Sequence, residues 1–299
     1  MAIINFGSIN IDHVYQVEHF VQPGETLAST QYKQLLGGKG ANQSIALALA
    51  GADVKHVGAI HESDATFKQT LIRKGVDCQY VSCTDTPSGH AIIQVTPSGE
   101  NAIVLFGGAN LTLNEETAQK ALSNTGSSDW VLTQNETSSI ADILSLAHSK
   151  QLKVAFNPAP MSDSVKALPL DCVDLLIVNE TEAQAITGQS TTESIVAWFT
   201  DNWKHGEVIL TLGKDGVIMV RKDGTTIKVP AFTVDAVDTT AAGDCFIGYF
   251  LSAYSQHTDA RQALIRGCAA SAIAVTREGA AQSIPTQNEV DHFLAKHGK

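Results

Sequence analysis

The sequence predicts an α/β fold: a three-layer α/β/α, doubly wound, mainly parallel sheet with a small antiparallel β-lid. Three observations support this. Short β-rich runs are apolar along their whole length rather than alternating, as strands covered on both faces must be. Helical patterns, with apolar residues three and four apart, separate several of them. Two stretches contain no helix pattern and read as extended chain.

The first strand is "AIINF" (2–6), and "WVLT" (130–133), "KVAFN" (153–157), "DLLIV" (174–178), "EVILTL" (207–212) and "GVIMV" (216–220) follow. Helices are expected over "SIADILSLAHSK" (139–150) and "STTESIVAWFTDNW" (190–203). A strand followed by a helix and another strand builds a parallel sheet, whose ligands gather beyond the carboxyl ends of the strands. Residues 13–36 read as extended segments around a Pro-Gly turn, and 89–106 as a hairpin around "TPSGEN". These two segments are expected to form the lid. No repeat, low-complexity tract or linker interrupts the chain, so 1–299 is expected to be one domain.

Composition narrows the function. A hydrophobic fraction of 43% and a charged fraction of 17% are those of a globular chain. A net charge of −11 disfavours a nucleic-acid partner. No apolar run reaches the roughly 18 residues of a membrane span. The start, "MAIINFGSIN", lacks the features of a signal peptide, so a cytoplasmic location is expected. The five cysteines show no C-x-x-C spacing, which argues against zinc and for free thiols.

Several motifs place polar residues where strands end. "GSINID" (7–12) sets Asn10 and Asp12 after the first strand, suited either to a polyol or to an Asx turn. "GGKGANQ" (37–43) opens a helix through Gly37, Gly38 and Gly40, and a tight turn explains those glycines but not Lys39 and Asn42. It is neither G-x-x-x-x-G-K-[ST] nor G-x-G-x-x-G. Glu136 follows the strand "WVLT" and either caps the next helix or faces a ligand. "NETEAQAITG" (179–188) puts Asn179 and Glu182 in a first helical turn. They either complement the helix dipole or hold Mg²⁺ waters and phosphate. "TLGKDG" (211–216), with Thr211, Gly213 and Gly216, is either a hairpin turn or a nucleotide edge.

"DTTAAGD" (238–244) is the most pointed. Its small residues are expected to leave the amides of Ala241, Ala242 and Gly243 open at a helix N-terminus, as an anion hole. Asp244 beside them pairs a general base with a stabiliser of developing negative charge. "AVTREGAAQS" (274–283) sets Ala274, Arg277, Gly279 and Ser283 in a loop near the C-terminus.

In order along the chain, "GSINID", "GGKGANQ", "NPAP" (157–160), "NETEA", "TLGKDG", "VDTTAAGD" and "AVTREGAA" resemble the ribokinase-type carbohydrate kinases essentially from end to end. The resemblance implies ATP-dependent phosphorylation of the 5-hydroxyl of D-ribose, with Asp244 as the base and 241–243 as the hole. Asn10, Asp12, Gly38, Lys39, Asn42 and Glu136 would hold the sugar. Asn179 and Glu182 would hold Mg²⁺ through waters, and Thr211, Gly213 and Gly216 would border the nucleotide. A monovalent cation, K⁺, is implied at Asp238, Thr240, Ala274, Arg277, Gly279 and Ser283. Deoxyribose-preferring relatives tend to lack an asparagine at Asn10, so its presence implies ribose; the alternatives are a deoxyribose, other small-sugar or nucleoside kinase, or a silent sugar sensor. The exposed edges and apolar face of an open β-lid point to a homodimer. The chain departs from the wider family in Ala241, where glycine is usual, and in "HESD" (61–64), where a Gly-Asp-Asp run is usual.

Overall fold

The computed structural model describes all 299 residues. The chain begins with β1 (Ala2–Phe6), β2 (Asn10–Gln16), β3 (Gln31–Gly37), α1 (Lys39–Leu49), β4 (Asp53–His61), α2 (Ala65–Arg73), β5 (Asp77–Thr84), β6 (Gly89–Val95) and β7 (Asn101–Phe106). It continues with α3 (Glu115–Ala121), β8 (Trp130–Gln134), α4 (Ile140–Ser149), β9 (Lys153–Asn157), β10 (Leu175–Asn179), α5 (Glu180–Thr187) and α6 (Thr192–Asn202). It ends with β11 (Glu207–Thr211), β12 (Val217–Val220), β13 (Thr226–Val229), α7 (Ala242–Ser255), α8 (Ala260–Ala274) and α9 (Gln287–Lys296).

Nine strands form the main sheet in the order β13-β12-β11-β10-β9-β8-β1-β4-β5. Only β12 runs against the other strands, antiparallel to both β11 and β13. The apolar runs are continuous because each face feeds a separate core. Ile3, Leu132, Ala155, Leu175, Ile177 and Ile209 pack toward α1, α7, α8 and α9. Ile4, Val131, Val154, Phe156, Leu176 and Val208 pack toward α3, α4 and α6 on the other side. The period of two is present, but both phases of it are apolar.

The expected strands are all found, with boundaries shifted by at most a residue, and the expected helices are α4 and α6. β4 went unseen because its apolar residues Val54, Val57, Ala59 and Ile60 are broken by Lys55, His56 and Gly58. His56 is fully buried there, so a polar residue occupies a core position.

The small sheet, in the order β3-β2-β6-β7, is built from the two expected segments, with β2 starting earlier, at Asn10. Two antiparallel pairs meet along a parallel seam between β2 and β6. Asn10 lies opposite Gly37 and Gly89, and Asp12 lies opposite Leu35 and Ala91. A Cβ on Gly37 would lie 2.0 Å from Asp12 Oδ2 and one on Gly89 2.5 Å from Asn10 Oδ1, so the two glycines make room for those polar side chains. The other face of the sheet carries Tyr15, Tyr32, Ile92, Val104 and Phe106.

β1 continues to β4 on one side and pairs with β8 on the other, so the winding reverses between β1 and β8. Crevices form at such a switch point. Two close approaches shape this one. A Cβ on Gly40 would lie 2.3 Å from Gly7 Cα, so α1 starts directly against the end of β1. A Cβ on Gly248 would lie 2.3 Å from Ala46 Cβ and 2.8 Å from the Leu47 nitrogen, so α7 crosses α1 almost backbone to backbone. Gly248→Ala gains about 1 kcal/mol of helix propensity but has to push α7 away from α1. The expected net loss is about 2 kcal/mol. Urea denaturation checks this, and an unchanged or higher midpoint would contradict the close crossing.

Candidate active site

The loops after β9, β10 and β11 and the start of α7 enclose a cavity of about 240 Å³, lined among others by Lys39, Asn157, Asn179, Glu182, Thr211 and Asp244. Asp244 lies in the first turn of α7 and is only 8% exposed. Two side chains of α1 reach it: Asn42 Nδ2 donates to Oδ2 at 3.1 Å and Gln43 Nε2 donates to Oδ1 at 2.9 Å. Burial pushes the Asp244 carboxyl above its ordinary range, against the pull of the Lys39 ammonium and the two amide donors. A base held deprotonated by fixed donors yet made more basic by burial is suited to taking a proton from a hydroxyl.

Beside it, the amides of Ala241 and Gly243 have no partner within the protein, as befits the first turn of a helix. The amide of Ala242 is different from the expectation. It closes a turn on the Thr239 carbonyl at 3.2 Å, because the chain must bend sharply to enter α7. Ala241 sits at φ 59° and ψ 10°, in the left-handed region. That conformation explains why glycine is usual there, and alanine carries a strain of about 1 kcal/mol.

Lys39 begins α1 and Gly38 precedes it at φ 90°. Burial works against the Lys39 ammonium, but Asp244, Glu136 and Glu182 outweigh it and hold its pKa above the ordinary value. Glu136 does not cap the following helix. Its carboxylate turns back to α1, accepting from the Lys39 amide at 3.0 Å and from the Ser8 hydroxyl. Asn10 Oδ1 accepts from Asn110 Nδ2 at 2.7 Å, and Asn110 Oδ1 accepts from the Ile9 amide at 2.9 Å, so Asn110 orients Asn10. Asp12 stands next to this group, its carboxyl pushed up to about 7 by burial, with Glu136 adding to the effect. Asn42 Oδ1 is buried with no hydrogen-bond partner. An orphaned acceptor on the residue that grips Asp244 calls for a ligand donor such as a sugar hydroxyl.

Asn179 and Glu182 form a capping box on α5: the Glu182 amide donates to Asn179 Oδ1 at 2.9 Å and the Asn179 amide to Glu182 Oε2 at 3.0 Å. Both also line the cavity, so the capping and the ligand-facing readings hold together. Burial raises the Glu182 carboxyl, although Asn179 and Lys39 oppose this. Thr211 lines the cavity, whereas Gly213 and Gly216 do not. They shape the turn between β11 and β12; a Cβ on Gly216 would lie 2.2 Å from the Val229 oxygen.

The last group joins two loops. Asp238 Oδ1 accepts from the Thr240 amide at 2.8 Å and Oδ2 from the Gly279 amide at 2.9 Å. Burial pushes Asp238 up, but these hydrogen bonds prevail and hold it below the usual carboxylate range. The Ala274 carbonyl accepts from the Arg277 amide at 3.0 Å, and Ser283 is fully buried. The Arg277 guanidinium turns away to Glu289 at 2.5 Å, leaving only its carbonyl for any ion here.

Sequence reasoning missed Ser8, Gln43, Asn110 and Asn157. Gln43 stands next to Asn42 in "GGKGANQ", and consecutive helical residues ordinarily face different ways. Both reach Asp244 because it stands over the open end of α1. Asn110 has no local signal, lying about a hundred residues from its partner Asn10 in sequence.

Comparison with known proteins gives a consistent picture. Residues 2–287 match the pfkB family of carbohydrate kinases. A ribokinase of Haemophilus influenzae is 38% identical, with 96% of each chain covered. A deoxyribokinase of Salmonella typhi is 30% identical, with 99% of each covered. The structure of an Arabidopsis thaliana ribokinase complexed with ribose and ATP superposes with a TM-score of 0.85 at 27% identity, covering 98% of this chain and 99% of that one.

The Asp12 shift has a measurable consequence. Its folded pKa, about 7, exceeds the ordinary 3.8, so the folded state favours the protonated acid. The associated stability is complete below pH 3.8 and lost as the pH rises through 7. Asp12→Asn removes that loss. At pH 8 the variant is expected to be more stable than the ligand-free parent by about 2 kcal/mol, roughly 4 °C in Tm, with a much smaller gain at pH 5. Thermal melts at the two pH values check this, and equal gains at both would contradict it.

Proposed function

The chain belongs to the pfkB family of carbohydrate kinases, and from that premise we propose that it is an ATP-dependent D-ribokinase, converting D-ribose and ATP to D-ribose 5-phosphate and ADP. The observation that carries this reading is the buried carboxylate of Asp244, gripped by Asn42 and Gln43, beside the unpartnered amides at the start of α7.

Asp244 takes the proton of the 5-hydroxyl as that oxygen attacks the γ-phosphorus of ATP, and ADP leaves in line. The amides of Ala241 and Gly243 receive the charge on the transferring group, while Ala242 shapes the turn that aims them. Such transfer rests on positioning and electrostatics rather than on covalent chemistry. Asn10, Asp12, Gly38, Lys39, Asn42 and Glu136 hold the sugar, and the orphaned Oδ1 of Asn42 takes one of its hydroxyls. Thr211 borders the nucleotide. The small sheet acts as a lid that brings Asn10 and Asp12 over the sugar and limits access of water.

The site's charge favours added cations. Asp12, Glu136, Glu182 and Asp244 stand against the single ammonium of Lys39 where a polyphosphate has to enter. Asn179 and Glu182, together at the start of α5 on the cavity wall, would hold a Mg²⁺ through waters. Asp238, Thr240, Ala274, Arg277, Gly279 and Ser283 supply mainly neutral oxygens around one carboxylate, which suits K⁺. When bound, the two cations would offset phosphate charge and support the loop leading into α7.

The apolar outer face of the lid, with Tyr32 and Phe106 about half exposed, suits a second copy of the chain, so the reading includes a homodimer. The five thiols are all free, in keeping with a cytoplasmic setting. No helix is long and apolar enough to cross a membrane.

A deoxyribokinase is the rival reading, supported by the Salmonella typhi relative. Asn10 favours ribose, since its amide would otherwise lose a partner at the 2-hydroxyl. Turnover measured side by side on ribose, deoxyribose, fructose and adenosine, in K⁺ and in Na⁺, is expected to be highest on ribose with K⁺. Equal or better turnover of deoxyribose would overturn the substrate, and equal rates in both salts the cation site. Asp244→Asn is expected to lower kcat by a factor of about 10² to 10⁴. A loss of only a few-fold would remove Asp244 as the base.

A further inference from the structure

A line of buried polar side chains runs inward from Asp244 to the far side of β1. Gln43 Nε2 donates to Asp244 Oδ1 at 2.9 Å, and Gln43 Oε1 accepts from Gln134 Nε2 at 2.7 Å. Gln134 Nε2 also donates to Asn5 Oδ1 at 3.0 Å. Asn5 Nδ2 then donates to Ser44 Oγ at 2.8 Å, and Ser44 Oγ lies 2.8 Å from His56 Nδ1. His56 Nε2 ends the line 3.1 Å from the Gly7 carbonyl. Gln43, Asn5, Ser44 and His56 are fully buried and Gln134 nearly so, and bulk solvent does not reach them.

Both ends of this line accept only. The carboxylate of Asp244 requires Gln43 to present its NH₂ group, which turns the Gln43 carbonyl to Gln134. The Gly7 carbonyl requires His56 to donate from Nε2. His56 is therefore neutral and accepts at Nδ1, as burial, which lowers its pKa to about 4, also demands. Ser44 then donates to His56 and accepts from Asn5, whose own oxygen has to accept from Gln134. The two directions meet at Gln134 Nε2, which spends both hydrogens. Gln134 Oε1 is left buried with no partner. Reversing that amide would set oxygen against oxygen on both sides, so the orphaned atom is the consequence of having an acceptor at each end.

We propose that Gln43 is a positioning residue for the base Asp244, and that Gln134, which does not touch Asp244, holds the Gln43 carbonyl and so reinforces the direction in which Gln43 hydrogen-bonds. The inference rests on the kinase reading above for Asp244's role. Its physical content is that one carboxylate oxygen is anchored by Gln43 and the other by Asn42, so the plane of the base is set before substrate arrives. Gln43 Nε2 also donates to Asn157 Oδ1 at 3.3 Å, so without Gln134 the Gln43 amide keeps its direction but loses the bond that holds its carbonyl, and its support of the charged form of Asp244 loosens. The charged groups facing Asp244 are Lys39 on α1, Glu136 after β8 and Glu182 on α5, and all three stay in place in the variants below.

Gln43→Met and Gln134→Met keep side-chain length while removing the amide. On the sugar that the parent turns over best, Gln43→Met is expected to lower kcat about tenfold or more, with KM for ATP within about twofold. The acidic limb of its kcat–pH profile should move to higher pH. Gln134→Met should move the same limb in the same direction by less. The double variant should match Gln43→Met alone, because Gln134 acts only through Gln43. Titration of the Asp244 carboxyl carbon by ¹³C NMR, assigned with Asp244→Asn, reads the same shift without turnover. A chain that phosphorylates no sugar would thus sink the kinase reading while this test still decides the positioning role. If Gln43→Met does not fold, the Gln134→Met titration decides it. An unmoved limb and carboxyl titration in the folded variants, or additive losses in the double variant, would overturn the proposal.

Discussion

A carboxylate shut away from water needs other groups to solvate it, and most of this structure is arranged around that need at Asp244. Asn42 and Gln43 supply the donors, and both come from the first turns of α1. Those turns reach Asp244 only if α1 and α7 begin at the same point. The near contact of Gly40 with Gly7 fixes where α1 starts, and the crossing of Gly248 over Ala46 fixes how closely α7 lies beside it. The two helices thereby aim their N-termini into one crevice, at the place where the winding of the sheet reverses.

Around that point negative charge is in excess. Glu136 bridges the end of β8 to α1, Glu182 is tied to Asn179 at the start of α5, and Asp12 hangs from the small sheet. Lys39 is the single cation among them. Burial raises the pKa of three of these carboxyls, and the neighbouring carboxylates add to it. The same arrangement suits an electrically neutral polyol bonded through many hydroxyls, and in the proposed reaction cations would accompany the entering phosphate.

Residues that act through nearby sequence were legible. The strand runs from β8 to β12 were visible because both faces of the sheet are covered. The two segments of the small sheet stood out by having no helical period. Asn179 and Glu182 lie three apart and meet in one capping box, so spacing alone brought them together. Gln134 and Asn5 were not legible, because each lies in a strand and finds its partner on another strand or helix. A single glutamine at the end of "WVLT" looks like a strand leaving the core, whereas it sits in the middle of a buried network. His56 hid β4 for the same reason.

By itself the sequence determined the layered α/β architecture, the order of the motifs and the residue types at each strand end. These are set by local periodicity and by short-range turn chemistry, which need no knowledge of distant residues. Tertiary structure alone decided that the Ala242 amide is spent on Thr239, that Gly216 serves a turn rather than the cavity, and that Glu136 faces α1 instead of capping the next helix. It also decided the direction of every amide between Asp244 and His56. Hydrogen-bond direction depends on which acceptors stand at the two ends of a line, and those ends come from elements far apart in sequence.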